Sequence, residues 1–112
     1  MSSTRQLKIS RLLQKELGEY FQRNAREILG NRMATVTTVR ISPDLSVAKV
    51  YLSIFPFVKE EKPLEKIKEH AAAIRMEIGK KVGKQLRIVP EFVYYIDDSL
   101  DYIEKIENLL NE

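Results

Sequence analysis

A cluster of carboxylates near the C-terminus is the first candidate for chemistry in this sequence. Asp97, Asp98 and Asp101 flank Ser99, and carboxylates in this pattern could serve as an acid/base pair or hold Mg²⁺. A catalytic pair needs one carboxyl group in an apolar pocket, whereas this cluster follows a strand pattern and precedes a helix pattern. Acidic residues stabilise a helix N-terminus, so we predict that the cluster has a capping role.

Few other side chains could support catalysis. The sequence has no Cys and a single His, His70, which excludes disulfides, thiol catalysis and multi-histidine metal sites. The segment Gly79-Lys80-Lys81-Val82-Gly83 resembles the GXXG phosphate clamp of KH domains, but its spacing is one residue too long. We therefore predict that the protein is not an enzyme and uses no metal or cofactor.

Basic residues at helical spacing give a stronger indication of binding. In the N-terminal helical segment they lie opposite Leu13 and Leu17, and later in the chain Lys80, Lys84 and Arg87 recur at i, i+4 and i+7 with few carboxylates beside them. Such stripes favour a phosphate backbone, because Lys and Arg release its counterions. A solvated helix face is the alternative interpretation.

The distribution of charge agrees with a polyanion-binding protein. The 112 residues carry a net charge of +3, but residues 1–90 hold 18 basic and 9 acidic residues, whereas residues 91–112 hold 1 and 7. This asymmetry is typical of a polyanion-binding body with an acidic tail. The length fits one domain over residues 1–112, with 97–112 as the acidic tail. With no apolar run long enough to span a membrane and no secretory signal, we expect a soluble, cytoplasmic protein. We also predict that it is a monomer.

Periodicity predicts the elements that position these residues. Apolar positions at helical spacing predict a helix over Thr4–Leu29, and a hairpin of two strands follows, with its turn at Ser42–Ser46. The full order is α-β-β-α-α-β-α, an α+β arrangement. The remaining predicted bounds are strands over Met33–Ile41, Val47–Ile54 and Phe92–Ile96, a helix over Pro63–Leu86 and a short C-terminal helix over Leu100–Leu110.

Three sequence segments carry a resemblance to a known family. They run from Val39 to Ser53 around Ser-Pro-Asp-Leu, from Leu86 to Phe92 around Val-Pro-Glu-Phe, and from Asp97 to Leu100. With these segments, the chain resembles the ribosome-binding factor A family of bacterial small-subunit maturation factors over about residues 5–110. The resemblance implies a single KH-like (type II) domain with a three-stranded sheet, α-β-β-α-kink-α-β. A kink between two helices replaces the GXXG loop, and Ala71, Ala72 and Ala73 occupy its place without the family's glycine.

The resemblance also implies a function. The family binds the immature 30S subunit and its 16S rRNA, assists late assembly and formation of the 5′ end of that RNA, and supports growth in the cold. An assembly GTPase on the ribosome is a further implied partner. The alternative is a protein-interaction module in ribosome assembly with incidental RNA contact. The residues that we expect to contact RNA are Arg5, Lys8, Arg11, Lys15, Lys49, Arg75, Lys80, Lys81, Lys84 and Arg87.

Overall fold

A computed structural model describes residues 4–97 of the chain, and its elements follow the predicted order. The α+β class with a three-stranded sheet is confirmed. Of the predicted acidic segment 97–112 only Asp97 is described, so the C-terminal helix lies outside the described residues. The elements are α1 (Thr4–Leu29), β1 (Met33–Ile41), β2 (Val47–Phe55), a 3₁₀ turn (Lys59–Glu61), α2 (Pro63–Glu69), α3 (Ala71–Val82) and β3 (Glu91–Ile96).

The sheet has the strand order β1-β2-β3, with β2 in the centre. Strands β1 and β2 form the predicted antiparallel hairpin, whereas β2 and β3 pair in parallel. A parallel pair needs a crossover connection, and α2 and α3 supply it. In the hairpin turn, the Asp44 carboxylate accepts hydrogen bonds from Ser42 Oγ (2.7 Å) and Ser46 Oγ (2.8 Å), while Leu45 adopts a φ of 64°. These contacts fix the register of the hairpin.

The core lies between the three helices α1, α2 and α3 and one face of the sheet. Leu13, Leu17 and Phe21 of α1 are fully buried, and so are Val50 and Leu52 of the central strand. Side chains alternate between the two faces of a strand, so the residues between these positions on β2 point away from α1. The packing of α1 on the sheet therefore fixes which of its side chains can reach solvent.

The break between the second and third helices lies at His70, one residue before the predicted alanines. His70 N donates to the Ile67 carbonyl at 2.9 Å, and its Nδ1 lies 3.0 Å from the Lys66 carbonyl oxygen. In a continuous helix the Lys66 carbonyl would accept a hydrogen bond from the His70 amide, whereas here it lies against the His70 imidazole. The alanines do not kink, because alanine is the best helix former, and they form the first turn of α3.

Helix α3 ends at Val82, four residues before the predicted end at Leu86. The backbone amides of Gln85 and Leu86 both donate to the Val82 carbonyl, at 2.9 and 2.8 Å, and close the helix there. A Cβ at Gly83 would lie 2.8 Å from the Gly79 carbonyl oxygen, so this tight turn requires glycine. The predicted helical stripe is therefore wrong beyond Val82, because the residues after it lie in a turn.

Candidate nucleic-acid interface

The solvent-facing side of α1 carries the first group of predicted contacts, Arg5, Lys8, Arg11 and Lys15, which we call the α1 face. All four side chains are exposed, since the opposite side of the helix is buried in the core. Among residues 4–97, no carboxylate forms a salt bridge with any of these four cations. Four cations on about three turns of one rigid helix make a line of positive charge suited to a phosphate backbone.

The second group lies on α3 and the turn after it and comprises Arg75, Lys80, Lys81, Lys84 and Arg87, which we call the α3 group. All five residues of this group are exposed. Two of its members have carboxylate partners, because Lys80 Nζ lies 3.7 Å from Glu77 and Lys81 Nζ lies 3.8 Å from Glu16 of α1. The predicted scarcity of carboxylates is thus wrong around Lys80. The Lys81 pair places the α3 group beside α1, so the two groups lie in one helical layer.

Arg75 has a structural contact that the sequence did not indicate. Its guanidinium donates to the carbonyl oxygen of Val89 at 2.7 Å, across fourteen positions of the chain. This bond ties α3 to the segment that precedes β3. A guanidinium has five N–H donors, so Arg75 can still reach a phosphate with those that remain.

Lys49 does not join the other predicted contacts. It lies on β2 between the buried Ala48 and Val50, so it projects from the sheet face opposite α1. Its register partner is Arg40, whose guanidinium lies 5.8 Å from the centroid of the Tyr51 ring. The predictions omitted Arg40, although its place between the apolar residues Val39 and Ile41 was a usable signal.

The same sheet face carries a pair of aromatic rings. Tyr51 and Tyr95 stack with centroids 5.3 Å apart and an interplanar angle of 23°. Tyr95 is exposed and Tyr51 is half-buried, so they are not part of the core under α1. Stacked rings beside Arg40 and Lys49 resemble the platforms on which proteins stack unpaired bases.

The described residues contain neither a membrane span nor a metal cluster. Among residues 4–97, no helix is long and apolar enough to cross a membrane. In the same range, no three His, Asp or Glu side chains come together as candidate metal ligands. Asp97, the one described member of the carboxylate cluster, accepts a hydrogen bond from the Thr37 hydroxyl, and Asp98 and Asp101 lie outside the described residues.

Comparison with known protein families supplies a decisive match. The model of the family described as ribosome-binding factor A matches residues 5–110. The chain belongs to this family. A ribosome-binding factor A from Cytophaga hutchinsonii is 41% identical over 112 residues, which are 100% of this chain and 84% of that protein. One from Flavobacterium johnsoniae is 46% identical over 111 residues, 98% of this chain and 85% of that protein.

Solved ribosome-binding factor A structures share the fold. The crystal structure of the Thermus thermophilus protein has a TM-score of 0.67 at 24% identity and covers 81% of this chain and 94% of that one. A homology model of the Thermus thermophilus protein, fitted into a cryo-EM map of a 30S complex, has a TM-score of 0.65 at 24% identity, covering 80% of this chain and 91% of that one. The solved structures of this family and the described part of this chain therefore share one fold, and the helices of that fold carry the cations described above.

Proposed function

We propose that this protein binds the small ribosomal subunit through phosphates of its 16S rRNA and assists a late step in the maturation of that subunit. The observation that carries the proposal is the α1 face, four exposed cations without a salt-bridge partner among residues 4–97. Relatives of the chain are named ribosome-binding factors, and a Thermus thermophilus relative was fitted into the map of a 30S complex. These names favour ribosomal RNA as the polyanion that the α1 face meets.

In this proposal, the helical layer acts as a rigid clamp on the RNA backbone. The α1 side chains need no backbone rearrangement to bind, because the core holds the helix that carries them. Contacts to phosphate position a protein without reading bases, so specificity for an immature subunit comes from the local arrangement of the RNA. The bound protein would hold that arrangement while later assembly steps proceed, including formation of the 16S rRNA 5′ end. It performs no catalysis, and release by an assembly GTPase completes the proposal.

The salt dependence of binding to immature 30S subunits tests this function. For a protein that neutralises phosphates, the logarithm of the binding constant falls linearly with the logarithm of the salt concentration. The magnitude of this salt slope is about 0.7–0.9 for each phosphate contacted. We expect the variant with Arg5, Lys8, Arg11 and Lys15 all changed to Ala to lose about 3 units of slope. Protein-free 16S rRNA should show the same loss.

A matched control separates position from net charge. The variant Lys59→Ala/Lys62→Asn/Lys66→Ala/Lys68→Ala also removes four positive charges, all of them from the 3₁₀ turn and α2 side of the molecule. Its slope should stay near that of the wild type. Equal losses in both variants would contradict a role for the α1 face. Binding that survives high salt and treatment of the subunits with ribonuclease would instead support the protein-interaction module.

A further inference from the structure

An open cleft lies between α1, from Arg11 to Arg26, and the first residues of β1. Its volume is about 1190 Å³, and buried apolar side chains such as Phe21, Ala25 and Val36 line its base. Small-molecule pockets hold about 300–1,000 Å³, so this cleft exceeds the usual size for a metabolite. A volume of this size can instead receive a length of polymer.

The walls of the cleft are strongly cationic. Five basic residues line it against one carboxylate, that of Glu19. Arg32 is paired with Glu61 at 2.7 Å, whereas the other four basic residues form no salt bridge within the described part of the chain. The lining cations are Arg11, Lys15, Arg23, Arg26 and Arg32.

Because Gly18 has no side chain, the helical wall of the cleft is lower at its centre. A Cβ built on Gly18 would meet no atom within 4 Å, so packing does not require glycine at this position. Glycine inside a helix is less stable than alanine by about 1 kcal/mol. The missing side chain therefore lacks an explanation in stability, but it gives a ligand access to the helix backbone between Lys15 and Gln22.

The opposite wall is the free edge of β1, since β1 pairs only with β2 in the sheet of the described residues. Gln14 Nε2 donates to the Thr37 carbonyl at 3.3 Å and so bridges the helix and the strand at one end of the cleft. At the other end Met33 is 69% exposed although it is a large apolar residue. The cleft thus offers an apolar contact next to its cations.

We propose that this cleft binds a single-stranded segment of ribosomal RNA, with Arg23, Arg26 and Lys15 on its phosphates and Met33 against a base or ribose. The inference rests on the proposed function and extends the contact region from Arg11 and Lys15, which the cleft shares with the α1 face, to Arg23 and Arg26. Three of the four cations that form no salt bridge within residues 4–97 are arginines, whose planar guanidinium forms paired hydrogen bonds with phosphate, and Arg23 already donates one bond to the Glu19 carbonyl at 3.4 Å. We take the segment to be unpaired, because a single strand presents its phosphates to the cations and an unstacked base to Met33.

Substitutions at Gly18 test the cleft without weakening the fold. Gly18→Gln and Gly18→Glu both place a helix-favouring side chain into the open space and should raise the melting temperature. Gly18→Glu adds a negative charge among the phosphates, so we expect about tenfold weaker binding of a 12-nucleotide oligouridylate, with a smaller loss for Gly18→Gln. Oligouridylate affinity that is the same in wild type and Gly18→Glu would overturn the proposal.

A second test removes positive or negative charge from the cleft, and the two changes should have opposite effects on binding. Arg23→Ala/Arg26→Ala should reduce the salt slope for the oligouridylate by about 1.4, since a single strand contributes about 0.7 per phosphate. Glu19→Gln removes the one carboxylate of the lining and should strengthen binding. A Glu19→Gln variant that binds more weakly would contradict the assignment of the cleft to RNA.

A comparison with Arg5→Ala/Lys8→Ala separates this inference from the proposed function. Those two residues belong to the α1 face but do not line the cleft. If their loss weakens binding to 30S subunits while the Gly18 and arginine variants bind normally, the cleft proposal fails and the function stands. If none of the variants changes RNA binding, both fail. If Gly18→Glu weakens binding to subunits but not to protein-free 16S rRNA or oligouridylate, the cleft binds a ribosomal protein and the RNA assignment is wrong.

Discussion

The α1 face and the α3 group are both basic surfaces, yet their electrostatic surroundings differ. Among residues 4–97, the four cations of the α1 face have no salt-bridge partner. In the α3 group, Lys80 lies near Glu77, Lys81 lies near Glu16, and Arg75 donates to the Val89 carbonyl. Exposure alone therefore does not show which cations are available to a phosphate. The partners of each cation decide that, and one of these partners comes from a different helix.

When two lysines are removed from each of the two regions, the salt slope for 30S binding should change more for the α1 face than for the α3 group. Lys8→Ala/Lys15→Ala removes two cations without a described carboxylate partner, so the salt slope for 30S binding should fall by about 1.4–1.8. Lys80→Ala/Lys81→Ala should lower it by less, since these lysines already share their charge with carboxylates. Binding isotherms at four or more salt concentrations would measure both slopes.

The control for this comparison is Lys59→Ala/Lys68→Ala, which removes two exposed lysines that belong to neither region. All three double variants change the net charge by the same amount, so a general charge effect would move them together. The distinction between the two regions is wrong if the α3 variant loses as much slope as the α1 variant.

Removal of the carboxylate partners should make the α3 group resemble the α1 face. In Glu16→Gln/Glu77→Gln both lysines lose their partners, and two negative charges near the RNA disappear. Surface ion pairs contribute at most about 1 kcal/mol, so we expect up to about fivefold tighter binding and a similarly small loss of stability. Glu60→Gln/Glu65→Gln, with two exposed carboxylates away from both regions, is the control. Unchanged affinity of the Glu16/Glu77 variant would show that the α3 group does not touch RNA.

The sequence was sufficient for the parts of the fold that depend on local periodicity. The end of α1 at Leu29 and both bounds of β1 agree with the prediction, because a long apolar arc and a run of β-branched residues define them. Apolar periodicity alone predicts one helix over Pro63–Leu86, because Ile74, Ile78 and Val82 keep a constant spacing, and only the family resemblance placed a kink within it. Its break at His70 depends on a side chain bonding to the Lys66 carbonyl, and apolar periodicity does not report such a bond.

The sequence predicted where the site residues lie on each helix or strand, but not which of these elements come together. Helical spacing correctly placed Arg5, Lys8 and Arg11 outside the core. It did not reveal the salt bridge between Glu16 and Lys81, since that pair forms only when α1 and α3 pack together. The cleft could not be predicted for the same reason, because its walls are a helix and a strand whose separation depends on the tertiary fold.

A substitution in the core can separate stability from surface charge. Tyr94 is 4% exposed, and within residues 4–97 its hydroxyl is the buried side-chain polar atom that lacks a hydrogen-bond partner. Burial also raises the pKa of this phenol. Tyr94→Phe removes the unpaired hydroxyl but keeps the ring that meets Phe21 edge-on at 6.0 Å. We expect the free energy of unfolding to rise by about 1 kcal/mol with no change in RNA binding.

Urea denaturation of Tyr94→Phe and of the matched variant Tyr95→Phe would check this expectation. Tyr95 lies on the exposed face of the sheet, so loss of its hydroxyl should leave stability nearly unchanged. Lower stability of Tyr94→Phe would mean that the hydroxyl has a favourable contact. Weaker RNA binding by Tyr94→Phe would mean that the core and the α1 face are coupled, so that charge alone does not explain the difference between the two basic regions.

The hairpin turn provides the smallest effect and tests a carboxylate whose partners are hydroxyls instead of lysines. Hydrogen bonds from Ser42 and Ser46 lower the pKa of Asp44 from 3.8 to about 2, with the Ser42 hydroxyl as the largest cause. Because the folded pKa is the lower one, Asp44 contributes stability above pH 3.8, and this contribution disappears as the pH falls toward 2. Asp44→Asn should therefore be less stable than the wild type at pH 5, and the difference should disappear as the pH falls through 2.

An NMR titration of the Asp44 carboxyl carbon would measure this shift directly. The midpoint should lie near 2 in the wild type and higher in Ser42→Ala, with a smaller rise in Ser46→Ala because the Ser46 amide still donates to the carboxylate. A wild-type midpoint near 3.8 would contradict the hydrogen-bonded turn.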